Sequence, residues 1–110
     1  MAFAWDDWNV EHIGAHDVTP MEAEYVVDHV QPPWPDQKGD GKLLVWGPTE
    51  DGRLLQVIFT LKHPDEVAFE ALTMEEWAGL GENDRIVYVV HAMELTPVMK
   101  QRYRKRRKAP

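Results

Sequence analysis

Five side chains in this sequence could transfer protons in a reaction at a phosphate: His12, His16, His91, Glu94 and Tyr103. Histidine is the usual group for proton transfer near neutral pH, because its ordinary pKa lies close to that pH. A cation beside such a group can stabilise the charge that develops in a phosphoryl transition state. The sequence therefore offers general acid–base chemistry, although spacing alone does not show that the five groups meet.

Two of these histidines lie near the amino terminus. Trp8, His12 and His16 recur every fourth residue and would share one face of a helix. Histidines four apart match the spacing of metal ligands, but the glutamate expected between them in a metalloprotease motif is absent. We therefore expect no metal site here, and favour imidazole packing or a polar contact at a helix end.

The third histidine lies near the carboxyl end of the chain. Residues 86 to 90 are β-branched and aromatic, which predicts a buried central strand, and residues 91 to 94 are expected to leave it. Thr96 followed by Pro97 predicts the start of a short basic helix. Polar groups beside a helix amino terminus suit an anion such as phosphate. The alternative is a last core strand followed by a solvated basic tail at residues 100 to 110.

The elements between these histidines begin with a second helix. Thr19, Pro20 and Glu22 form a capping-box pattern, and the helix should run to about His29. Three prolines at positions 32, 33 and 35 must end it. We predict a loop over residues 31 to 42.

A hairpin and a short helical stretch complete the predicted elements. Residues 42 to 61 indicate an antiparallel hairpin around Asp51 and Gly52, with the second strand central in the sheet. Residues 65 to 81 are predicted to be a short helical segment of two separate turns. A second capping-box pattern, Thr73 to Glu76, starts the later turn.

Composition limits the class of protein. The chain has 110 residues, 44% of them hydrophobic, which predicts a single domain over 1–110. It has no cysteine, no run of 18 apolar residues and no secretory signal pattern at its amino terminus. The sequence therefore predicts a cytoplasmic protein, not a disulfide scaffold or a membrane protein.

The net charge of −7 is unevenly distributed. All 19 acidic residues lie in residues 1–99, which carry about −14, and the last 11 residues carry about +7. Such a basic end can follow a nucleic-acid backbone or bind an acidic partner. Because the rest of the chain would repel RNA or DNA, a nucleic-acid contact must be local to the basic end and whatever faces it.

Three blocks of the sequence resemble the BrnT-type toxins of bacterial type II toxin–antitoxin pairs. The amino-terminal block is the most specific, and the other two follow in the same order. The blocks are WDDWNVEHI with His16 and VTPMEAE (residues 5–24), DGRLL in the hairpin (51–55), and VHAMELTP with Tyr103 and the basic end (90–108). Residues 65 to 81 resemble an insertion relative to that family.

The resemblance implies an α+β fold of the RelE kind, with an amino-terminal helical pair packed on a small antiparallel β-sheet and a carboxy-terminal helix. It also implies a ribonuclease that needs no metal or other cofactor and arrests translation by cutting RNA. Its partner would be a cognate antitoxin, commonly a small dimeric DNA-binding protein. The positions that match the family pattern are His16, Arg53, Glu94, Thr96 and Tyr103. Our candidate catalytic groups are His16, His91, Glu94 and Tyr103, and our candidate RNA contacts are Arg53, Lys100, Arg102, Arg104 and Arg106.

The sequence departs from the family pattern at three positions. Tyr88 and Met93 stand where relatives usually carry arginine, and Met99 stands where a glutamate is common. Two hypotheses therefore remain open. One is an active ribonuclease with His16 or His91 moving the proton. The other is a non-catalytic relative that acts as a protein- or nucleic-acid-binding regulatory module.

Overall fold

A five-stranded mixed sheet forms the centre of the molecule, in the strand order β1-β5-β4-β3-β2. The computed structural model describes residues 1–108. The strands are β1 (Phe3–Ala4), β2 (Asp36–Gly39), β3 (Lys42–Pro48), β4 (Leu54–Lys62) and β5 (Ile86–Glu94). The α-helices are α1 (Asp7–Gly14), α2 (Pro20–Asp28), α3 (Met74–Ala78) and α4 (Pro97–Lys108). This arrangement confirms the predicted α+β class.

The sheet is mixed, whereas the resemblance had implied an antiparallel sheet. β1 pairs with β5 in parallel, whereas β2, β3, β4 and β5 form antiparallel pairs. The loop predicted over residues 31 to 42 contains the edge strand β2, whose Lys38 and Gly39 are exposed. An exposed, polar four-residue strand carries little of the apolar alternation by which strands are recognised. The prediction that residues 54 to 61 form the central strand is confirmed.

The predicted helix starts are confirmed in detail. Thr19 caps α2 and Thr73 caps α3, each in a capping box with the glutamate three residues later. Pro97 is the first residue of α4, and the hydroxyl of Thr96 accepts a hydrogen bond from the backbone N–H of Met99 at 3.3 Å. These caps satisfy amide groups that have no partner inside the helix.

The helices α2 and α4 cover opposite faces of the sheet. Gly47 on β3 faces α2, because a Cβ added there would lie 3.5 Å from Val26. Trp46, one residue earlier, therefore points to the other face. Its ring lies 6.1 Å from that of Trp34, which stacks on Tyr103 of α4 at 5.2 Å.

The segment between β4 and β5 has three short helical elements instead of the predicted two. Two 3-10 turns, Pro64–Glu66 and Phe69–Ala71, precede α3. Ala71 and Leu72 form a second buried cluster with Ala4 and Ile86. Ile86 and Tyr88 lie two residues apart on β5, so both point to the same face of the sheet. Tyr88 pairs with Thr60 and Thr60 with Lys42, which faces the same way as Trp46. The segment therefore packs on the sheet face that α4 also covers. None of the helices within residues 1–108 has the length and apolar content needed to cross a bilayer.

Candidate functional site

Three histidines from three parts of the chain meet at the edge of β5. The ring centroids of His16 and His91 lie 5.1 Å apart, those of His12 and His91 5.9 Å apart, and those of His12 and His16 6.2 Å apart. All three ring pairs meet edge to face. We call these residues the histidine cluster. His12 and His16 are exposed and His91 is half-buried.

A β-bulge aims His91 into this cluster. The pairing of β4 with β5 shifts by one residue, so that Ile58 pairs with His91 while Phe59 pairs with Val89. Val90 is the extra residue. Without it, strict alternation would place His91 on the same sheet face as Val89, which is fully buried. The prediction that residues 91 to 94 leave the strand is therefore wrong, because β5 continues through the bulge to Glu94.

The turn between α1 and α2 positions His16. The helix α1 ends at Gly14, and Asp17 adopts a left-handed conformation with φ of 59°. The backbone N–H of Val18 then donates to the carbonyl of Ile13, which closes the turn. His16 thus lies just past the end of α1, whereas the spacing had predicted that it shares a helical face with Trp8 and His12.

The amino-terminal end of α1 is held by buried polar contacts. Asp6 caps the helix and exchanges hydrogen bonds with Asn9, whose side chain is fully buried and also donates to the carbonyl of Ala4. The hydroxyl of Tyr88 donates to the Asp6 carboxylate at 2.9 Å. Burial and this carboxylate raise the pKa of Tyr88 to about 12, so it stays a hydrogen-bond donor.

A second group of charged residues lies where β5 ends and β4 begins. The guanidinium of Arg53 donates to the backbone carbonyl of Asp17 at 2.7 Å and to the Glu22 carboxylate at 3.3 Å. Its Nε lies 3.9 Å from Glu94, and the Lys100 ammonium lies 3.4 Å from the same carboxylate. We call Arg53, Glu94 and Lys100 the charged group. It adjoins the histidine cluster, because Asp17 follows His16 directly.

The Nε atom of Arg53 is buried without a hydrogen-bond partner within the described residues. A buried donor of this kind is costly unless it is satisfied. To bind an anionic oxygen, Arg53 would have to release one of the carboxylates that it contacts, Glu22 or Glu94. Sequence reasoning missed the contacts of Arg53 with Asp17 and Glu22, since they join residues more than thirty positions apart.

Burial lowers the pKa of His91 below its usual value, and the positive charges that His16 and His12 can carry lower it further. His91 therefore stays neutral at a pH where an ordinary histidine is partly protonated. A neutral imidazole can accept a proton, so His91 suits the role of general base. Among residues 1–108, no group of three or more His, Asp or Glu side chains is arranged to hold a metal ion.

Tyr103 is not joined to the histidine cluster by any contact described for residues 1–108. Its ring is buried and stacks on Trp34. The guanidinium of Arg107 lies over the same ring, 5.6 Å from its centroid. Arg106 forms a bidentate ion pair with Asp36 at 2.7 and 2.9 Å and lies over Trp34. These two residues hold α4 to the sheet, whereas the sequence had suggested roles toward RNA.

The basic end is a helix docked on the sheet within residues 97 to 108. The alternative of a wholly solvated tail is therefore wrong for these residues, and positions 109 and 110 lie outside the described part. Arg102 and Arg104 are exposed on α4, together with Lys105, Arg107 and Lys108. Positive side chains in the last turn also interact favourably with the helix dipole.

The structure thus brings together His12, His16 and His91, and places Arg53, Glu94 and Lys100 beside them. It leaves Tyr103 and Arg106 in packing roles and Arg102 and Arg104 on the outer surface of α4. In comparison with known proteins, the chain matches no family model and no curated protein.

Proposed function

We propose that this protein is a metal-independent endoribonuclease, the toxin of a BrnT-like type II toxin–antitoxin pair. The observation that carries the proposal is the edge-to-face contact of His16 with His91, with ring centroids 5.1 Å apart. Two imidazoles in contact can serve as base and acid for one phosphoryl transfer. Arg53 and Lys100 lie beside them, each within 4 Å of the Glu94 carboxylate, and would contact the phosphate if Glu94 moves away.

The reaction requires two proton transfers. His91 takes the proton of a ribose 2′-hydroxyl, whose oxygen forms a new bond to the adjacent phosphorus. The bond from phosphorus to the 5′-oxygen breaks, and protonated His16 gives that oxygen a proton. The products are a 2′,3′-cyclic phosphate and a free 5′-hydroxyl. Arg53 stabilises the charge on the phosphorane oxygens.

The arrangement of elements also supports this proposal. The RelE-like layout expected from the resemblance has helices near the amino terminus, a sheet, and a carboxy-terminal helix. Here α2 and α4 lie on opposite faces of the sheet, with His91 on the face of Ile58 and Trp46. The proposed partner is a small dimeric DNA-binding antitoxin encoded beside the toxin. The acidic surface outside α4 limits the RNA contact to the site and α4.

A specific observation favours the second candidate, a non-catalytic relative that binds protein or nucleic acid. The three positions that depart from the family pattern include two with structural roles. Tyr88 donates to Asp6 and lies under the ammonium of Lys62 at 5.1 Å, while Met99 packs against the core. A side chain committed to such contacts supplies no charge to a transition state.

The deciding experiment is inducible expression of the full chain in a bacterial host, with growth and total RNA integrity followed over time. A His16→Ala, His91→Ala double variant removes both proposed proton-transfer groups. The matched control is His29→Ala, His63→Ala, because both of these histidines are outside the cluster. We expect growth arrest and RNA breakdown from the natural chain and the control, and neither from the double variant.

Purified protein gives the complementary test. Cleavage of a synthetic RNA should persist in EDTA and yield a 2′,3′-cyclic phosphate end. Circular dichroism of each variant checks that it is folded. A folded natural chain that neither arrests growth nor cleaves RNA would overturn the ribonuclease and favour the binding module.

A further inference from the structure

Trp8 is an exposed tryptophan on α1 whose ring stacks on that of His12. The indole is 55% exposed, and one of its faces is covered by the imidazole of His12, with centroids 4.9 Å apart and planes within 7° of parallel. Exposing so large an apolar ring to water is unfavourable. An exposed aromatic ring is a platform on which a nucleobase can stack.

The ring of His12 joins Trp8 to the histidine cluster. His12 stacks on Trp8 on one side and meets His91 edge to face at 5.9 Å on the other. A planar group stacked on the open face of Trp8 would therefore lie one ring away from the cluster.

Charge determines which part of a nucleotide can lie on each side. Asp7 and Glu11 are exposed on α1 beside Trp8, so this surface repels a phosphate but accepts an uncharged base. The cations Arg53 and Lys100 lie on the other side of the cluster, next to Glu94. A strand bound here is thus oriented with a base on Trp8 and its phosphate toward the cations.

We infer that the open face of Trp8 is a base-stacking subsite and that the substrate is unpaired, single-stranded RNA. The inference rests on the proposed function and adds to it the form of the substrate. A base held in a duplex is stacked on its neighbours and cannot lie on the indole unless it is flipped out. Stacking on an aromatic ring tolerates any base, so the subsite selects single strands and not a particular sequence.

Binding of an uncleavable strand tests this inference independently of catalysis. The probe is a fluorescent 2′-O-methyl RNA oligonucleotide, which lacks the attacking hydroxyl, used single-stranded and as a duplex. Trp8→Ala should weaken single-strand binding roughly 5- to 150-fold, the range found when one stacked base loses its aromatic partner. Trp8→Phe keeps a ring and should recover most of the affinity.

The matched control is Phe69→Ala, which removes an exposed aromatic ring stacked on Trp77 in the acidic segment before β5. It should bind the probe like the natural chain. Unchanged binding by Trp8→Ala, equal affinity for duplex and single strand, or no binding of the probe at all would each overturn the inference. An effect of Trp8→Ala on capture of a protein partner, without an effect on the probe, would also overturn it.

The two proposals fail in different ways. If the natural chain binds the probe through Trp8 but cleaves no RNA, the ribonuclease is wrong and the stacking subsite stands. If it cleaves RNA and Trp8→Ala cleaves equally well at limiting substrate, the ribonuclease stands and the subsite is wrong.

Discussion

At the scale of single residues, the fold changes both the position and the chemistry of His91. The bulge at Val90 directs it to the edge of the sheet, where it is half-buried against His12 and His16. Burial and these neighbours both favour its neutral form. His91 can therefore act as a base within the cluster.

This arrangement predicts the pH dependence of cleavage. In the proposed mechanism cleavage requires neutral His91, so kcat/KM should fall as the pH drops through the pKa of His91, at a pH below the ordinary histidine value of 6.5. His12→Asn removes one positive neighbour and should move this acid limb upward, though not fully, because burial remains. NMR titration of the His91 imidazole gives the same pKa directly. His29→Asn should leave it unchanged, and an acid limb above 6.5 would contradict the assignment of His91 as the base.

Met93 stands where the resemblance to BrnT-type toxins predicts an arginine, so the proposed function can be tested by introducing a positive charge there. It is half-buried, pairs with Gln56, and lies two residues beyond His91 on the same face of β5. Met93→Arg should raise the cleavage rate, up to the roughly 100-fold that one transition-state contact contributes. Met93→Leu, which keeps the volume without the charge, is the control. Equal rates in folded Met93→Arg and Met93→Leu would show that this position does not face the scissile phosphate.

At the scale of elements, two side chains near the end of α4, Tyr103 and Arg106, hold this helix against Trp34 and Asp36. We call these four residues the α4 anchor. Arg106 pairs with Asp36 on β2 and lies 4.9 Å over Trp34, and Tyr103 stacks on the same indole. The ion pair lowers the pKa of Asp36 below its usual value of 3.8. The α4 anchor thus connects the last helix to the edge strand β2.

Removing this anchor should loosen α4. Arg106→Gln should cost about 1 kcal/mol of unfolding free energy at pH 7, because the pair is half-exposed but bidentate and adds a cation–π contact. Asp36 has a lowered pKa in the folded state, so its contribution is present above pH 3.8 and is lost as the pH falls through the folded pKa. Chemical denaturation at several pH values measures the difference. Exposed Arg104→Gln should have little effect, and an equal cost in both variants would refute the anchor.

How much of the structure the sequence predicts depends on whether a contact is local. Capping boxes at Thr19 and Thr73 and the Thr96–Pro97 start were predictable, because cap and partner lie within three residues. The bulge at Val90 was not, since it is defined only against Ile58 and Phe59 of another strand. The sequence named all three members of the histidine cluster. It did not predict the contacts of Tyr103 with Trp34 and of Arg106 with Asp36, because these partners lie about seventy positions apart in the sequence.

At the scale of the whole molecule, charge separates the surface into two parts. Residues 1–99 carry about −14, and α4 with the last two residues carries about +7. Within α4, Arg106 is paired with Asp36 and Lys100 with Glu94, whereas Arg102, Arg104 and Lys105 are exposed. A polyanion can therefore approach this molecule along the outer surface of α4, and is repelled elsewhere.

Salt dependence tests whether RNA uses that surface. For a single strand, the logarithm of affinity falls with the logarithm of salt concentration by about 0.7 for each phosphate neutralised. Replacing Arg102, Arg104 and Lys105 by Gln should therefore weaken binding of the uncleavable strand at low salt and reduce this slope by about 2. Replacing Lys38, Lys42 and Arg85 by Gln changes the net charge equally, and should leave the slope nearly the same if contact is local. Equal slopes in the two triple variants would mean that α4 does not touch the RNA, and that its exposed charges serve a different acidic partner.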